Sequence, residues 1–324
     1  MIISPMSVKR SVIITIICSW GLMLSADEDV MTDLRRIMGN IKSEIEVKAS
    51  IKKGSAKIPP RKSETWTFMA GMRKVQVRYS RYMNIPPYFE GRHSSLSADM
   101  GIGFDGGYFG NWYRGNAIRL IINGEDIFAQ RMADTVEVME GEENGQLRFT
   151  WKLKQNSSVT MTIVVPQDGH AIYMDIALSL PEIEVRSLQI KLNCYPGGYK
   201  PAYKQPSHRW VVTEFDEKDV PVEMKKTTPV IELKSGQDWV FYADKLQSAG
   251  SLGLLINNQD NPSGKIFMSY YGQRTELNYP VQTRQIRLAF YAFNLENQSA
   301  RSMFLKNLEQ ERKVLKTLQL RLKK

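Results

Sequence analysis

Two spacings of apolar residues divide the chain. From Val30 to Ile45 they fall at Val30, Leu34, Ile37, Met38, Ile41 and Ile45, one face of a helix. Asp27, Glu28 and Asp29 just ahead of it suit a helix N-terminus. Lys52 to Lys62, with Gly54, Pro59 and Pro60, reads as a loop or linker. Beyond it the period becomes two. Val75, Val77 and Tyr79 alternate with Gln76, Arg78 and Ser80, and Leu147, Phe149 and Trp151 with Arg148, Thr150 and Lys152. Val159 to Val165, Ile172 to Leu180 and Ile286 to Phe290 repeat the pattern. Each run predicts a strand with one wet face, the habit of antiparallel sheets.

Asn123-Gly124 and Asn144-Gly145 are hairpin signals, because both residue types tolerate the left-handed backbone of a tight turn. No helical pattern separates the strands, which excludes parallel βαβ folds. Helical spacing returns at Phe304, Leu308, Leu315, Leu318 and Leu322, with Glu311 interrupting the seam. The expected fold class is mainly β: a large antiparallel two-sheet β-sandwich, supersandwich-like, with an N-terminal and a C-terminal α-helix. Its parts would be a signal peptide (1–26), a helix and basic linker (27–63), the sandwich body (64–295) and a basic amphipathic helix (296–324). The last helix is read as docked on its own sheet, with a membrane-surface helix or a self-association seam as alternatives.

Charge changes the reading of partners. The net charge is +10, but residues 48–62 carry six Lys/Arg and no acid, and residues 301–324 carry eight against Glu309 and Glu311. The body between them is close to neutral, so no nucleic-acid partner is expected. Lys9 and Arg10, a mostly apolar stretch from Ser11 to Leu24 and the small Ala26 have the order of a secretory signal. The protein is therefore expected to be exported, periplasmic or extracellular, with an uncleaved signal anchor as the alternative. No later apolar run is long enough for a transmembrane span in the mature chain. Of the two cysteines one lies in that signal, which excludes a disulfide framework. In SLQIKLNC, Leu188, Ile190, Leu192 and Cys194 share one face, opposite Gln189, Lys191 and Asn193, so Cys194 is read as buried and inert.

Candidate chemistry lies in two loops. Gly101, Gly103 and Gly106 spell G-x-G-x-x-G, but no helical pattern follows, which excludes a dinucleotide site. What remains at 104–116 is an aromatic loop whose Tyr108, Trp112, Tyr113 and Arg114 are ligand-binding candidates. Flat rings stack on the C–H faces of a sugar while polar tips bond its hydroxyls. A second loop, 194–210, adds Tyr195, Lys200 and Trp210 as binding candidates. Its Tyr199, Tyr203, His208 and Arg209 are catalytic candidates: Tyr or His would take a uronate α-proton while a cation steadies the enolate. Glu214, Asp216, Glu217 and Asp219, and Asn257, Asn258, Asp260 and Asn261, are oxygen-rich runs of the kind that hold Ca2+, although plain turns share that composition. No other metal and no cofactor is expected.

The strand rhythm, with WKLKQNSSVTMTIVVPQDGHAIYMDIALSLPEIEVRSLQIKLNCYPGGY at its centre, resembles the galactose-mutarotase-like β-supersandwich over residues 64–295. The resemblance implies a fold shared by sugar epimerases and by domains of polysaccharide lyases and glycosidases. Aldose epimerases place a His beside Tyr-Phe; here Pro87 stands before Tyr88-Phe89, so no catalytic residue carries over. Residues 29–82, with TWTF and KVQVRYSRY, are similar to the start of periplasmic lipoprotein-carrier proteins. The expected function is an exported carbohydrate-binding or glycan-associated β-sandwich using the two loops. The alternatives are a sugar-active enzyme such as a polysaccharide lyase, and a non-catalytic envelope structural or lipid- or lipoprotein-handling protein.

Overall fold

The two-residue alternation becomes strands, and every pairing among the described residues is antiparallel. The structure, a computed structural model, describes residues 45–52, 61–70, 73–82, 101–105, 113–130, 133–140, 144–154, 156–166, 171–194, 207–222, 227–244, 251–269, 272–293 and 297–318, all within the unit Ser43–Lys324. The first sheet begins with β1 (Ile45–Lys52), β2 (Arg61–Ala70), β3 (Arg73–Tyr82), β4 (Gly101–Asp105) and β5 (Tyr113–Ile122). It continues through β11 (Leu188–Cys194), β18 (Gly272–Tyr279), β17 (Ser263–Ser269) and β14 (Thr227–Leu233), and β6 (Glu125–Asp126) pairs with β5. The second sheet runs β13 (Glu217–Val222), β12 (Ser207–Thr213), β15 (Trp239–Asp244), β16 (Ser251–Ile256) and β19 (Gln285–Phe293). β10 (Ala171–Ser179), β9 (Ser158–Pro166), β8 (Asn144–Lys152) and β7 (Thr135–Glu140) complete it. α1 (Ile127–Gln130) is a single turn, and α2 (Asn297–Lys316) is the C-terminal helix.

The inward faces of the two sheets share one core. Val77, Tyr79, Leu120, Phe149, Trp151, Met161, Ile190 and Leu277 are all buried in it. Trp151 packs on Phe128 of α1 at 4.5 Å between ring centroids. The Tyr79 hydroxyl accepts the Ala133 N–H at 2.7 Å, so the phenol enters the core with its polar atom satisfied.

A second core lies on the far side of the second sheet, under α2. Phe304, Leu308 and Leu315 pack there on Trp210, Trp239, Phe241, Tyr291 and Phe293. The C-terminal helix is thus docked on its own sheet. Glu311, which interrupts the apolar spacing, accepts the Tyr173 hydroxyl proton. Arg312 grips Asp238 with two bonds of 2.6 and 2.7 Å. At the helix end Arg287 donates to the carbonyls of Leu315 and Lys316, while Asp175 holds the same guanidinium at 2.7 Å. A cation there meets the orphan carbonyls and negative pole of the last turn. Gly253 of β16 makes the close approach feasible: a Cβ at that position would stand 2.6 Å from the Phe304 ring.

Three expectations change. Residues 45–52 and 61–63, inside the span expected to be helix and basic linker, belong to strands β1 and β2. Val47, Ala49 and Ile51 alternate with Glu46, Lys48 and Ser50, but this edge strand leaves Val47 54% and Ile51 63% exposed, so its period carries little apolar contrast. Asn123-Gly124 is the expected turn, with φ of 52° and 86°. Asn144-Gly145 is not; it opens β8, where Gly145 already pairs with Glu140. The expected signal peptide, most of the N-terminal helix and Leu322 lie outside the described residues.

Candidate functional site

α2 covers part of the second sheet, and the outward face of the first sheet carries rows of polar side chains. Its rows follow from register. Arg119, Lys191, Glu276, Lys265 and Glu232 stand side by side across β5, β11, β18, β17 and β14. Lys191 reaches Glu276 at 3.3 Å, and Arg274, two residues along β18, reaches the same oxygen at 2.9 Å. Arg119 pairs with the buried Asp126. Lys265 and Glu232 pair at 2.8 Å; that contact holds the Glu232 carboxyl below its usual range and the Lys265 ammonium above its own. One row over, the Gln189 amide donates to Asn278 at 2.8 Å.

On the other side of the charged row, Asn193, Arg274 and Phe267 are neighbours across β11, β18 and β17. The Arg274 guanidinium lies 4.5 Å from the centre of the Phe267 ring. These residues, with Thr227, Ser269 and Gln273, line a cleft of about 390 Å³. Its donors and acceptors are amide, hydroxyl and guanidinium groups beside one aromatic face, a set suited to polyhydroxylated ligands. Cys194 borders the cleft but is buried, 3.7 Å from the Gln273 amide oxygen, and burial pushes its thiol far above the ordinary range.

The two loops singled out from sequence leave this same end of the sheet. Residue 105 ends β4, residue 113 opens β5 and pairs with Phe104, and Cys194 ends β11 opposite Gln273. Tyr108, Trp112, Tyr195, Tyr199, Lys200 and Tyr203 lie outside the described residues, and Tyr113 and Arg114 are the first two residues of β5. His208, Arg209 and Trp210 are not loop residues; they belong to β12. Consecutive strand residues face opposite ways. Arg209 is 1% exposed between the sheets, whereas His208 is 44% exposed and 3.4 Å from Asp219. His208 and Arg209 therefore do not form the expected proton-abstraction pair on one substrate. Trp210 offers no open ring for stacking either. It is buried beneath α2, donates to Glu217 at 2.9 Å, and carries the Arg301 guanidinium 5.3 Å from its ring centre.

Two carboxylates of the first oxygen-rich run have other partners. Glu217 serves Trp210 and Arg301, Asp219 meets His208, and the Asp216 N–H donates to the Thr213 hydroxyl. Asn258 and Asn261 shape a single 3-10 turn. Among the described residues no group of three or more His, Cys, Asp or Glu is placed to hold a metal ion. Nor is any helix among them long and apolar enough to cross a membrane. Lys191, Asn193, Phe267, Arg274 and Glu276 were not singled out as site residues, although the polar parity of LQIKLNC and GQRTELNY marks this face.

No family model matches the chain, and no curated protein matches it by sequence. Solved structures do match its fold. A protein of Klebsiella pneumoniae subsp. pneumoniae, provisionally assigned as an aldose 1-epimerase, superimposes with a TM-score of 0.51 and 8% identity, covering 86% of this chain and 90% of that one. This chain has the galactose-mutarotase-like fold. A quadruple mutant of alpha-N-acetylgalactosaminidase NagBb from Bifidobacterium bifidum matches with a TM-score of 0.52 and 9% identity, covering 76% of this chain. The ligand-free form of that enzyme gives 0.51 and 9%. The chain spans less than two fifths of the length of NagBb, 39% and 38% in the two structures. β1 to β3 are continuous with the larger sheet, so the described residues of the segment similar to lipoprotein carriers, 45–52, 61–70 and 73–82, belong to that sheet.

Proposed function

We propose that this protein is an exported glycan-binding β-sandwich whose ligand lies across the polar face of the first sheet, at the end where the cleft opens. The observation that carries this reading is the cleft itself, where Asn193, Arg274, Thr227 and Ser269 surround Phe267. Amides, hydroxyls and a guanidinium are the partners of sugar hydroxyls, and a ring edge or face covers sugar C–H groups. The fold supports it, because the matched structures include a glycosidase and a protein assigned as a sugar epimerase. The signal-like order of residues 1–26 supports export. Among the described residues, the cleft is lined by groups that bind and orient, with no carboxylate, imidazole or phenol among them.

A glycan array probed with the purified protein tests the reading. Hits are expected, and Asn193→Ala should weaken them about tenfold, the worth of one well-made polar contact. Trp210→Ala serves as the contrast: it should lower thermal stability without a matching change in ligand preference. Retention on no glycan, or hits indifferent to Asn193, would refute this function.

A further inference from the structure

We propose that Arg274 is the receptor for an anionic substituent, carboxylate or sulfate, so that the cleft selects acidic over neutral glycans. This rests on the glycan-binding reading above and narrows its substrate class. Glu276 is the shared partner of two cations, Lys191 at 3.3 Å and Arg274 at 2.9 Å. One carboxylate against two cations leaves the trio with a net positive charge. The three are graded in depth, with Glu276 16% exposed, Lys191 24% and Arg274 41%, so the guanidinium is the outermost of them. A deeper anion with an outer cation presents positive charge to whatever enters.

Arg274 is also held in place. Its guanidinium carbon lies 4.5 Å from the centre of the Phe267 ring, and its Nε stands 2.9 Å from Glu276 as an ion pair. Glu276 and the Phe267 ring thus flank the guanidinium, while the side chain still lines the cleft with two fifths of its surface exposed. A guanidinium fork matches a planar or tetrahedral oxyanion through two parallel N–H bonds. Prior immobilisation removes most of the ordering cost of forming them. The pair next along the row, Lys265 and Glu232, is internally neutral and adds no competing charge. Asn193, Thr227 and Ser269 line the same cleft and would serve the hydroxyls of the sugar that carries the anion.

The test measures binding of polygalacturonate, hyaluronan and chondroitin sulfate, each beside its carboxyl-reduced form, and of chondroitin sulfate beside its desulfated form. The acidic form should bind at least about tenfold more tightly, as expected for charge-assisted bonds, and the margin should shrink with added salt. Arg274→Gln should erase the margin at an unchanged thermal midpoint, costing the acidic form at least about tenfold more affinity than the neutral form. Arg274→Lys retains the charge but not the planar fork, and should recover only a small part of the margin; it also replaces the Gln variant should that one misfold. A preference that follows desulfation instead of carboxyl reduction identifies sulfate as the anion and supports the proposal. Equal affinity of the native protein for acidic and neutral forms overturns it while glycan binding stands. A preference unchanged in both variants overturns it too, and binding of no polymer in any form overturns both readings.

Discussion

One methyl group can test how tightly the C-terminal helix closes the second sheet. Gly253→Ala places a Cβ 2.6 and 2.7 Å from two carbons of the Phe304 ring. Carbon contacts settle near 3.5–4.0 Å, so the ring must retreat by about 1 Å. It has little room to do so. Tyr291, Trp239, Phe241 and Phe293 surround it with centroids 5.1, 5.9, 6.1 and 6.3 Å away. The helix behind it is tied to the sheet by Arg312 and Arg287. Overpacking of this kind costs about 1–3 kcal/mol. Against it stands the entropy gain of replacing glycine, about 0.4–1 kcal/mol. The net expectation is a loss of about 1–2 kcal/mol, read as a lower urea midpoint at unchanged m-value. Phe304→Leu alone should also destabilise, by about 1–2 kcal/mol, through the cavity it leaves. In the double variant the smaller side chain makes room for the methyl, so the two losses should fall short of additivity by about 1 kcal/mol or more. A stabilising Gly253→Ala, or a double-mutant cycle additive within error, would show that the ring does not depend on that glycine.

Cys194 should resist an aromatic disulfide reagent at pH 8 in the native protein and react at once in guanidinium, with labelling assigned by mass spectrometry; its buried thiol yields almost no thiolate. Native labelling as fast as in the denatured chain would contradict that burial. Glu232 should titrate below an ordinary glutamate because Lys265 bonds its charged form. The sign follows from linkage: a depressed carboxylate supports the fold above its unfolded pKa, and that support fades as pH falls through the folded value. Lys265→Met should move the Glu232 midpoint, followed by NMR, up toward the ordinary value, and an unmoved midpoint would remove Lys265 as the cause.

The strands were legible wherever one face is buried and the other wet, as in Leu188 to Cys194, because parity there is enforced by solvent. β1 was not, since an edge strand with both faces exposed places no such demand on its residues. Trp210 and Arg209 show a second limit. Their residue types invite a site, but β12 turns Arg209 into the core and α2 covers Trp210, and neither fact is written in the local composition. The cleft shows a third. Asn193, Phe267 and Arg274 are far apart in the chain and meet only through the register of β11, β18 and β17. Alternation predicts that each will be polar-side; it does not say which three will be neighbours.

Charge counted along the chain and charge placed in space lead to different partners. The basic run after residue 300 suggested an anionic surface, yet much of its described part is turned inward. Arg301 covers the Trp210 ring and meets Glu217, and Arg312 is divided between Asp238 and Glu309. Arg312 is held so firmly in its charged form that it acts as a fixed clamp at any ordinary pH. The guanidiniums thus serve to attach the helix, leaving lysines such as Lys306, Lys313 and Lys316 toward solvent. On the first sheet the logic reverses. There a nearly balanced row, drawn from strands with no basic run, leaves Arg274 as the outer of the two bases that share Glu276. A local excess of one charge beside an aromatic face and hydroxyls is a more selective feature than a larger excess spent on docking, because it acts where a ligand can enter.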